Sequence, residues 1–551
     1  MEELKDWTIM VYMAGDNNLS ENMAASLDEI RGIGMGMPKT DRDQINVLAY
    51  FDSGSLTVPT HYIDYSDLSP DEEPCRHPIE EKDLVYAPEG RDVANPAEGN
   101  SASAYSILNF VNWCIKTKGC EAKNYALIFS AHSFGFYGTS FLRDETSGGF
   151  MTLFKFRWAL EKICNECLGH KKIGILGFDS CVMSMLEVGF ELKDVAQTVI
   201  ASEGSLPNSG WGYAPMLKQF ISNDNSYRRQ QDEKAFLDFV ETPDYVKSAV
   251  TAFVTAFLTQ QRRMALGGRS VDMTAWDLDK IEPIARLTNE LAIILNEHLD
   301  LAGKIKTKSL TDEDIVVFQE LKKIILQAHF DAQTYMKEQS VDLKDFCQRL
   351  IIECKFFERD SKDGIFAKIR SKAREIILAI DDCVLKCGYS GDEFQFSNGI
   401  SIYFPWTYVT YFLTDYRYRY LRFVKGDVHP DPTKPNGVGK DWNHFLFNYL
   451  TRVSLRPSRK NANGLSHLDD FSDNNPLWSK DNPPWNKDNP PWNKDNPPWN
   501  KDNPPWNKDN PPWNRGEVGD SLFYFGRFKN FQLRWDIFGY SDETKAGDKF
   551  E

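Results

Sequence analysis

Short apolar runs alternate with helical patterns through the first third of this chain, and no other feature restricts its fold as strongly. Runs of consecutive apolar residues predict strands, and the stretches between them have helical spacing. The predicted strands are residues 7–13, 45–51, 125–131 and 172–178, and the predicted helices are residues 21–31, 102–116 and 153–167. This alternation is typical of an α/β protein with a mostly parallel sheet flanked by helices. In such sheets, ligands bind beyond the carboxyl ends of the strands.

The 551-residue chain exceeds the usual size of one hydrophobic core, and its composition changes along its length. The expected units are an α/β core (1–231), a largely helical subdomain (232–390), a closing segment (391–455), a low-complexity C-terminal linker (456–514) and an aromatic segment without an assigned role (515–551). We expect the subdomain to add one strand, 270–277, to the core sheet and to contain a helix over 366–387. The closing segment is expected to add the last core strand, 398–404.

A seven-residue repeat occupies much of the C-terminal region. The sequence Lys-Asp-Asn-Pro-Pro-Trp-Asn occurs five times in succession between Lys480 and Asn514. Because every copy contains two prolines, a regular helix or central strand is excluded, and we expect an extended, polyproline-like spacer. The tryptophan of each copy can stack on an unidentified partner, but identical copies equally fit a spacer without a dedicated ligand.

The net charge of −16 restricts the partners of this protein. Nucleic acids and anionic membranes need clustered positive charge on the protein, so we expect neither as a partner. No apolar run approaches the roughly 20 residues that span a bilayer, and the first residues lack the pattern of a secretory signal. The ten cysteines lack regular spacing, which fits reduced thiols. These observations predict a cytoplasmic protein.

Two of the predicted strands run into reactive residues. Strand 125–131 leads into His132, strand 172–178 leads into Cys181, and a predicted helix lies between them. If the strands are neighbours in a right-handed crossover unit, both side chains emerge at one edge of the sheet. Cys181 also opens a helical pattern over 182–188, and a helix N-terminus lowers the pKa of a thiol. These features suggest a cysteine nucleophile with His132 as general acid and base. The backbone N–H groups near Ser133 and Cys181 would receive the oxyanion.

The residues around these positions resemble the clostripain-like cysteine peptidases, which are related to caspases, legumain and gingipains. The similar segments are 8–19 (TIMVYMAGDNNL), the strand end at His132, 177–188 (GFDSCVMSMLEV), 201–203 (ASE), 210–213 (GWGY) and 399–405 (GISIYFP). They occur in the family's order and cover most of residues 5–450.

The resemblance implies a caspase-like fold, a Cys181–His132 dyad and hydrolysis of proteins or peptides after a basic residue. It assigns Asp179 to the pocket for the basic side chain, where a carboxylate suits a guanidinium or an ammonium group. Trp211, within the 210–213 segment, is assigned with it to substrate binding. The alternative for Asp179 is a residue that only complements a helix dipole. The sequence itself requires no cofactor or metal and contains no contiguous calcium loop, although the resemblance allows for calcium.

This chain departs from the family pattern at two places. Ser133 replaces the usual glycine after the histidine, and residues 207–213 contain no acidic residue, which weakens the expectation of basic specificity. Some relatives are activated by self-cleavage after a basic residue that follows the histidine. Arg143 is the best-placed candidate here, with Lys155 and Arg157 as further candidates.

Two other functions compete with the cysteine peptidase. Residues 131–135 (AHSFG) approximate a nucleophile elbow, in which Ser133 would attack as a serine hydrolase. That motif must lead directly into a helix, and it needs a later histidine from His329, His429 or His444. The second alternative is a non-catalytic binding protein on the same fold that uses the tryptophan repeats for contact.

Overall fold

A nine-stranded, mostly parallel sheet organises the part of the chain that the computed structural model describes. The described residues are 4–453 apart from 33–42, 56–57, 67–72, 87–98, 137–140, 221–242, 267–269, 302–303, 305–306, 336–338, 357–363 and 427–436. The predicted repeat linker and aromatic C-terminal segment lie outside this range.

The central sheet has the order β11-β8-β7-β6-β5-β1-β2-β3-β4. Its strands are β1 (Lys5–Gly15), β2 (Ile45–Ser53), β3 (His61–Asp64), β4 (Cys75–Pro78), β5 (Ala122–Ser130), β6 (Ile173–Asp179), β7 (Ala196–Ala201), β8 (Val271–Asp277) and β11 (Val384–Ser390). Five adjacent strands, β7, β6, β5, β1 and β2, run parallel to one another. Antiparallel pairing adds β8 and β11 on one side of them and β3 and β4 on the other. The predicted α/β class and the four predicted strands of the first third are confirmed.

Helices cover both faces of this sheet. They are α1 (Ser20–Gly32), α2 (Ala104–Asn112), α3 (Leu153–Lys162), α4 (Leu186–Leu192), α5 (Tyr213–Leu217), α6 (Pro243–Leu266), α7 (Ile281–Leu299), α8 (Asp312–Asp331), α9 (Leu343–Phe356), α10 (Ile365–Cys383), α11 (Tyr408–Tyr418), α12 (Arg422–Lys425) and α13 (Lys440–Asn448). Among the described residues, no helix combines the length and apolar character needed to cross a membrane.

Strand β1 shows why its apolar residues are consecutive. Ile9 and Val11 join one buried cluster with residues of α1 and α6, whereas Met10 and Tyr12 join a second cluster with residues of α2 and α3. Because successive side chains of a strand point to opposite faces, a strand covered on both sides has apolar residues at consecutive positions.

The structure corrects the predicted helix over 366–387 and the strand count of the subdomain. Helix α10 ends at Cys383, and Val384–Ser390 forms β11, which pairs antiparallel with β8. Residues 232–390 therefore add two strands to the central sheet instead of one. Pairing with the exposed edge of β8 satisfies backbone groups that a longer helix would have satisfied internally.

The predicted last core strand is also wrong in its placement. Within residues 398–404, only Ser401–Tyr403 forms a strand, β12, and it pairs with β10 (Ser340–Asp342). With β9 (Thr334–Tyr335), these strands form a separate three-stranded sheet. The outer position of the central sheet is already filled by β11, so β12 cannot join there.

Candidate active site

A pocket opens beyond the carboxyl ends of β5 and β6. It encloses about 390 Å³ of empty space, counted with its opening to solvent. Its lining residues come from α1, from the ends of the two strands and from the segment after β7: Leu19, Asn22, Met23, Ser26, Ser130, Ala131, His132, Asp179, Ser180, Cys181, Leu206, Pro207, Asn208, Ser209 and Gly210. The structure thus brings His132, Cys181 and Asp179 to one pocket, as the sequence analysis expects.

The strand register explains this convergence. Strands β5 and β6 are parallel neighbours, and Ser130 lies opposite Asp179 at their last paired position. His132 and Cys181 each follow two residues later in the chain, so both leave the sheet at the same level. The predicted adjacency of the two strands is therefore confirmed, and it follows from the short crossover through α3.

Cys181 lies in a turn and not at a helix N-terminus, which corrects the sequence prediction. Helix α4 begins at Leu186, with Met185 as its N-cap residue. Between them, Val182 adopts a φ of 58°, a conformation that β-branched residues rarely take. The macrodipole of α4 therefore does not act at the thiol, because this effect fades within the first turn of a helix.

A backbone N–H group takes the place of the expected helix dipole. The N–H of Leu206 donates to Cys181 Sγ at 3.2 Å, and the sulfur lies 3.8 Å from the Leu206 carbonyl oxygen. The N–H donor, which is the closer of the two groups, favours the thiolate, whereas the carbonyl oxygen accepts from the thiol and favours the protonated form. Cys181 is half-buried, whereas seven of the other cysteines are buried, so its sulfur is more open to the pocket than theirs.

His132 is held by a residue that the sequence analysis left without a role. Its Nε2 lies 2.5 Å from Oδ1 of Asn18, which follows β1. An amide oxygen only accepts hydrogen bonds, so this contact requires a proton on Nε2, and the neutral imidazole then has its lone pair on Nδ1. Asn18 is part of the 8–19 segment, but no spacing rule pairs it with a histidine 114 positions later.

Asp179 is only 5% exposed and is surrounded by hydrogen-bond donors. Its Oδ2 accepts from the hydroxyls of Ser130 and Tyr213, each at 3.0 Å, and its Oδ1 accepts from the N–H of Trp211 at 3.0 Å. Burial raises the pKa of Asp179 to about 6, and the three hydrogen bonds oppose this rise. Among the described residues, none of the ion pairs within 4.0 Å involves Asp179.

A glycine allows the pocket wall to approach this carboxylate. Gly210 has a φ of +62°, and a Cβ atom at this position would lie 2.6 Å from Asp179 Oδ2. Both the backbone conformation and the close contact therefore require glycine here. The predicted substrate residue Trp211 is only 1% exposed and packs edge-on against Phe253, so its indole does not line the pocket.

The structure argues against Ser133 as a nucleophile. Its side chain is 1% exposed, its hydroxyl lies 2.8 Å from Met183 Sδ, and the same oxygen accepts from the N–H of Gly135 at 3.2 Å. Residues 134–136 form no helix, although a nucleophile elbow requires one. Of the histidines considered for this mechanism, His329 is buried between the rings of Phe404 and Trp406, and burial lowers its pKa to about 3.

Arg143, the predicted processing site, lies on a loop whose backbone is hydrogen-bonded to the segment that follows β1. The Arg143 side chain is 51% exposed, while its carbonyl oxygen accepts from Asn17 Nδ2 at 3.2 Å. The next residue, Asp144, is buried and accepts hydrogen bonds from Ser101. Lys155 and Arg157 lie on α3 instead, and Arg157 lies 3.5 Å from the buried carboxylate of Glu191.

The described residues offer no preformed metal centre. No group of three or more His, Cys, Asp or Glu side chains among them is arranged to hold an ion. The calcium that the family resemblance allows for is untested, and no step of the chemistry derived below uses it.

Comparisons with known proteins identify the family of this chain. Residues 11–425 match the model of the clostripain family of peptidases. Among solved structures, the chain is similar to an inactive zymogen C11 protease from Parabacteroides distasonis, with 16% identity, a TM-score of 0.49 and coverage of 76% of this chain and 97% of that one. It is also similar to a secreted C11 cysteine protease from Bacteroides thetaiotaomicron in complex with an irreversible peptide inhibitor, with 15% identity, a TM-score of 0.48 and coverage of 75% and 96%. No curated protein matches the sequence significantly.

The family match extends over most of the chain, so the protein belongs to the clostripain family. It is a cysteine-type peptidase, which acts on proteins or peptides. The serine hydrolase alternative is therefore not favoured. A purely binding role for the same fold is not favoured either.

Proposed function

We propose that this peptidase is an endopeptidase that cleaves after arginine or lysine, with Cys181 as nucleophile and His132 as general acid and base. The observation that carries the proposal is the shared pocket beyond β5 and β6, which both residues line together with Asp179. A nucleophile, a proton acceptor and an anionic recognition group within one cleft are the parts that this reaction needs.

The protonation state of His132 supports its role. With Nε2–H bound to Asn18 Oδ1, the Nδ1 lone pair accepts the thiol proton. The thiolate attacks the carbonyl carbon of the peptide bond, and backbone N–H groups of Ser133 and Cys181 stabilise the oxyanion. His132 then protonates the leaving amine, and water hydrolyses the thioester to release the acid and restore the thiol.

Asp179 supports the preference for basic side chains. Its carboxylate lines the pocket beside the attacking sulfur, and its three described donors are neutral groups. A substrate guanidinium or ammonium would supply the positive charge and stabilise the ionised form. Because residues 207–213 contain no acidic residue, the proposed preference depends on Asp179 as the acidic residue of the lining.

Self-cleavage after Arg143 is the second part of the proposal. The side chain is exposed, the residue is basic, and its carbonyl is bound by Asn17, next to the residue that holds His132. A cut between Arg143 and Asp144 would separate the carbonyl bound by Asn17 from Glu145 and Thr146, whose N–H groups donate to Asp16.

Turnover of fluorogenic arginine, lysine and neutral peptides tests the central proposal. We expect wild type and Ser133→Ala to hydrolyse the basic substrates and Cys181→Ala to be inactive, because the thiol is the attacking group. Full activity of Cys181→Ala would refute the proposed nucleophile. Assays with and without a calcium chelator would test the metal requirement.

The cytoplasmic location and a partner for the repeats stay predictions.

A further inference from the structure

A buried carboxylate lies beneath the turn that carries Cys181. Asp272, on β8, is fully buried and accepts three hydrogen bonds from one short segment of chain. Ser202 Oγ donates to Oδ1 at 2.8 Å, the N–H of Glu203 donates to Oδ2 at 2.7 Å, and the N–H of Gly204 donates to Oδ1 at 2.8 Å. One side chain therefore fixes the backbone of residues 202–204.

The same segment holds the chain that directly follows Cys181. The N–H of Val182 donates to the Gly204 carbonyl at 3.0 Å, and the N–H of Ser184 donates to the Ser202 carbonyl at 2.9 Å. Two residues beyond Gly204, the N–H of Leu206 donates to Cys181 Sγ. The strained φ of Val182 is thus maintained by partners that Asp272 keeps in place.

The electrostatic surroundings of Asp272 make these donors necessary. None of the ion pairs within 4.0 Å among the described residues involves Asp272, Glu203 or Asp342. Burial and the two neighbouring aspartates hold the pKa of Glu203 well above its ordinary value. Burial also raises the pKa of Asp272, and its hydrogen bonds with residues 202–204 lower it. The carboxylate and the segment therefore stabilise each other.

We propose that Asp272 is a positioning residue for Cys181. It fixes residues 202–204, and this segment sets both the turn after the cysteine and the Leu206 N–H group at the sulfur. Asp272 touches neither the substrate nor the thiol, so its effect must pass through this backbone. The inference rests on the proposed role of Cys181 as nucleophile.

The reactivity of the thiol tests this inference without peptidase turnover. Alkylation of Cys181 by iodoacetamide is followed by mass spectrometry of the full chain's peptides between pH 5 and 9. In Asp272→Asn, the new amide group faces an N–H donor and one hydrogen bond is lost. We expect the alkylation rate at neutral pH to fall about fivefold and its pH midpoint to move upward. We also expect kcat to fall with little change in KM.

Asp277→Asn provides the matched control, because Asp277 is a buried carboxylate at the opposite end of β8. Its side chain accepts from the N–H of Asp279 and pairs with Lys247 at 2.9 Å. We expect this variant to alkylate at the wild-type rate, even if it loses thermal stability. An equal loss of Cys181 reactivity in both variants would overturn the inference, since it would reflect general loosening of the strand.

Ser202→Ala keeps the test decisive if Asp272→Asn does not fold. It removes one donor to Asp272 and leaves both backbone donors, so we expect a smaller slowing of alkylation, about twofold. Wild-type reactivity in whichever of these variants folds would overturn the inference. A wild-type Cys181 that reacts no faster than the exposed Cys75 would instead contradict the proposed function.

Discussion

His132 Nε2 and Asn18 Oδ1 are 2.5 Å apart, so a residue three positions after β1 contacts the side chain that follows β5. These strands are parallel neighbours in the sheet, and β6 carries Cys181 on the other side of β5. Three consecutive strand ends therefore contribute an orienting amide, an imidazole and a thiol. A histidine fixed by such a third group is typical of enzymes that use an activated nucleophile.

Asn18→Ala should lower kcat by about tenfold to a hundredfold with little change in KM, because the imidazole loses its tautomer and orientation. Steady-state kinetics on an arginine substrate would measure this. Asn18→Asp is the matched variant, since its carboxylate still accepts from Nε2–H. It should retain more activity and move the acidic limb of the pH profile upward, because the negative charge stabilises the imidazolium. Unchanged kcat in Asn18→Ala would contradict the role of this residue.

The sheet and the meeting of His132 with Cys181 could be predicted because they follow from local patterns. Consecutive apolar residues identify covered parallel strands, and a short helical crossover makes neighbouring strands end at one edge. Strand β3, with four residues, is too short for such a pattern to be recognised. The placement of β12 depends on which edge is already filled by β11, and this is a property of the whole fold.

The wrong helix start at Cys181 has a similar cause. Residues 182–188 have helical spacing, but Val182 has a φ of 58° and the N–H groups of Val182 and Ser184 donate to carbonyls of residues 204 and 202, so the helix begins only at Leu186. Asn18 escaped notice because its partner lies 114 positions away. Contacts between distant segments decide both features, and local periodicity contains no information about them.

The preference of the wild-type enzyme for arginine should increase with pH through ionisation of Asp179, and Asp179→Asn should abolish this dependence. Since burial raises the pKa of Asp179 to about 6, the carboxyl of the free enzyme is largely neutral below that pH and charged above it. The ratio of kcat/KM for an arginine substrate to that for its uncharged citrulline analogue should therefore rise between pH 5 and 7. Taking the ratio cancels the titration of His132, which affects both substrates. A ratio that keeps rising with pH in Asp179→Asn would exclude Asp179 as its source.

Gly210→Ala should weaken the preference for basic substrates by distorting the wall around Asp179. The new Cβ would lie 2.6 Å from Asp179 Oδ2, and a φ of +62° is unfavourable for alanine. Gly119→Ala is the matched control, since Gly119 has a φ of +71° and no atom within 4 Å of the added Cβ. In both variants, alanine in a left-handed backbone conformation should lower the free energy of unfolding by about 1 kcal/mol, as measured by denaturant unfolding. Only Gly210→Ala should lower the ratio of arginine to citrulline turnover, and equal ratios in both variants would refute this explanation.

Arg143→Gln should prevent self-cleavage of the chain. Intact-mass measurement of purified wild type is expected to find a fragment that ends at Arg143, because the residue is exposed and basic. This fragment should be missing from both Arg143→Gln and Cys181→Ala, whereas Lys155→Gln and Arg157→Gln should still be cut. A wild-type chain that is fully active while intact would show that processing is unnecessary.

Glu187→Gln should change the pH dependence of stability, because Glu187 is buried beneath the site on α4. Its Oε1 accepts from the Tyr403 N–H and the Tyr418 hydroxyl, each at 3.0 Å, and Oε2 has no hydrogen-bond partner among the described residues. Burial raises its pKa from 4.5 to about 7. Between these values the unfolded chain releases the proton while the folded chain retains it, so wild-type stability falls as pH rises.

Glutamine keeps the accepting oxygen and cannot ionise, so Glu187→Gln avoids this loss. The melting temperature of Glu187→Gln minus that of wild type should therefore increase from pH 5 to pH 8, with a free-energy change of at most about 3 kcal/mol. Glu282→Gln, which removes an exposed carboxylate paired with Lys193, is the control. Its melting temperature minus that of wild type should stay constant from pH 5 to pH 8. A Glu187→Gln difference that is also flat would show that Glu187 ionises as easily in the folded protein as in the unfolded chain.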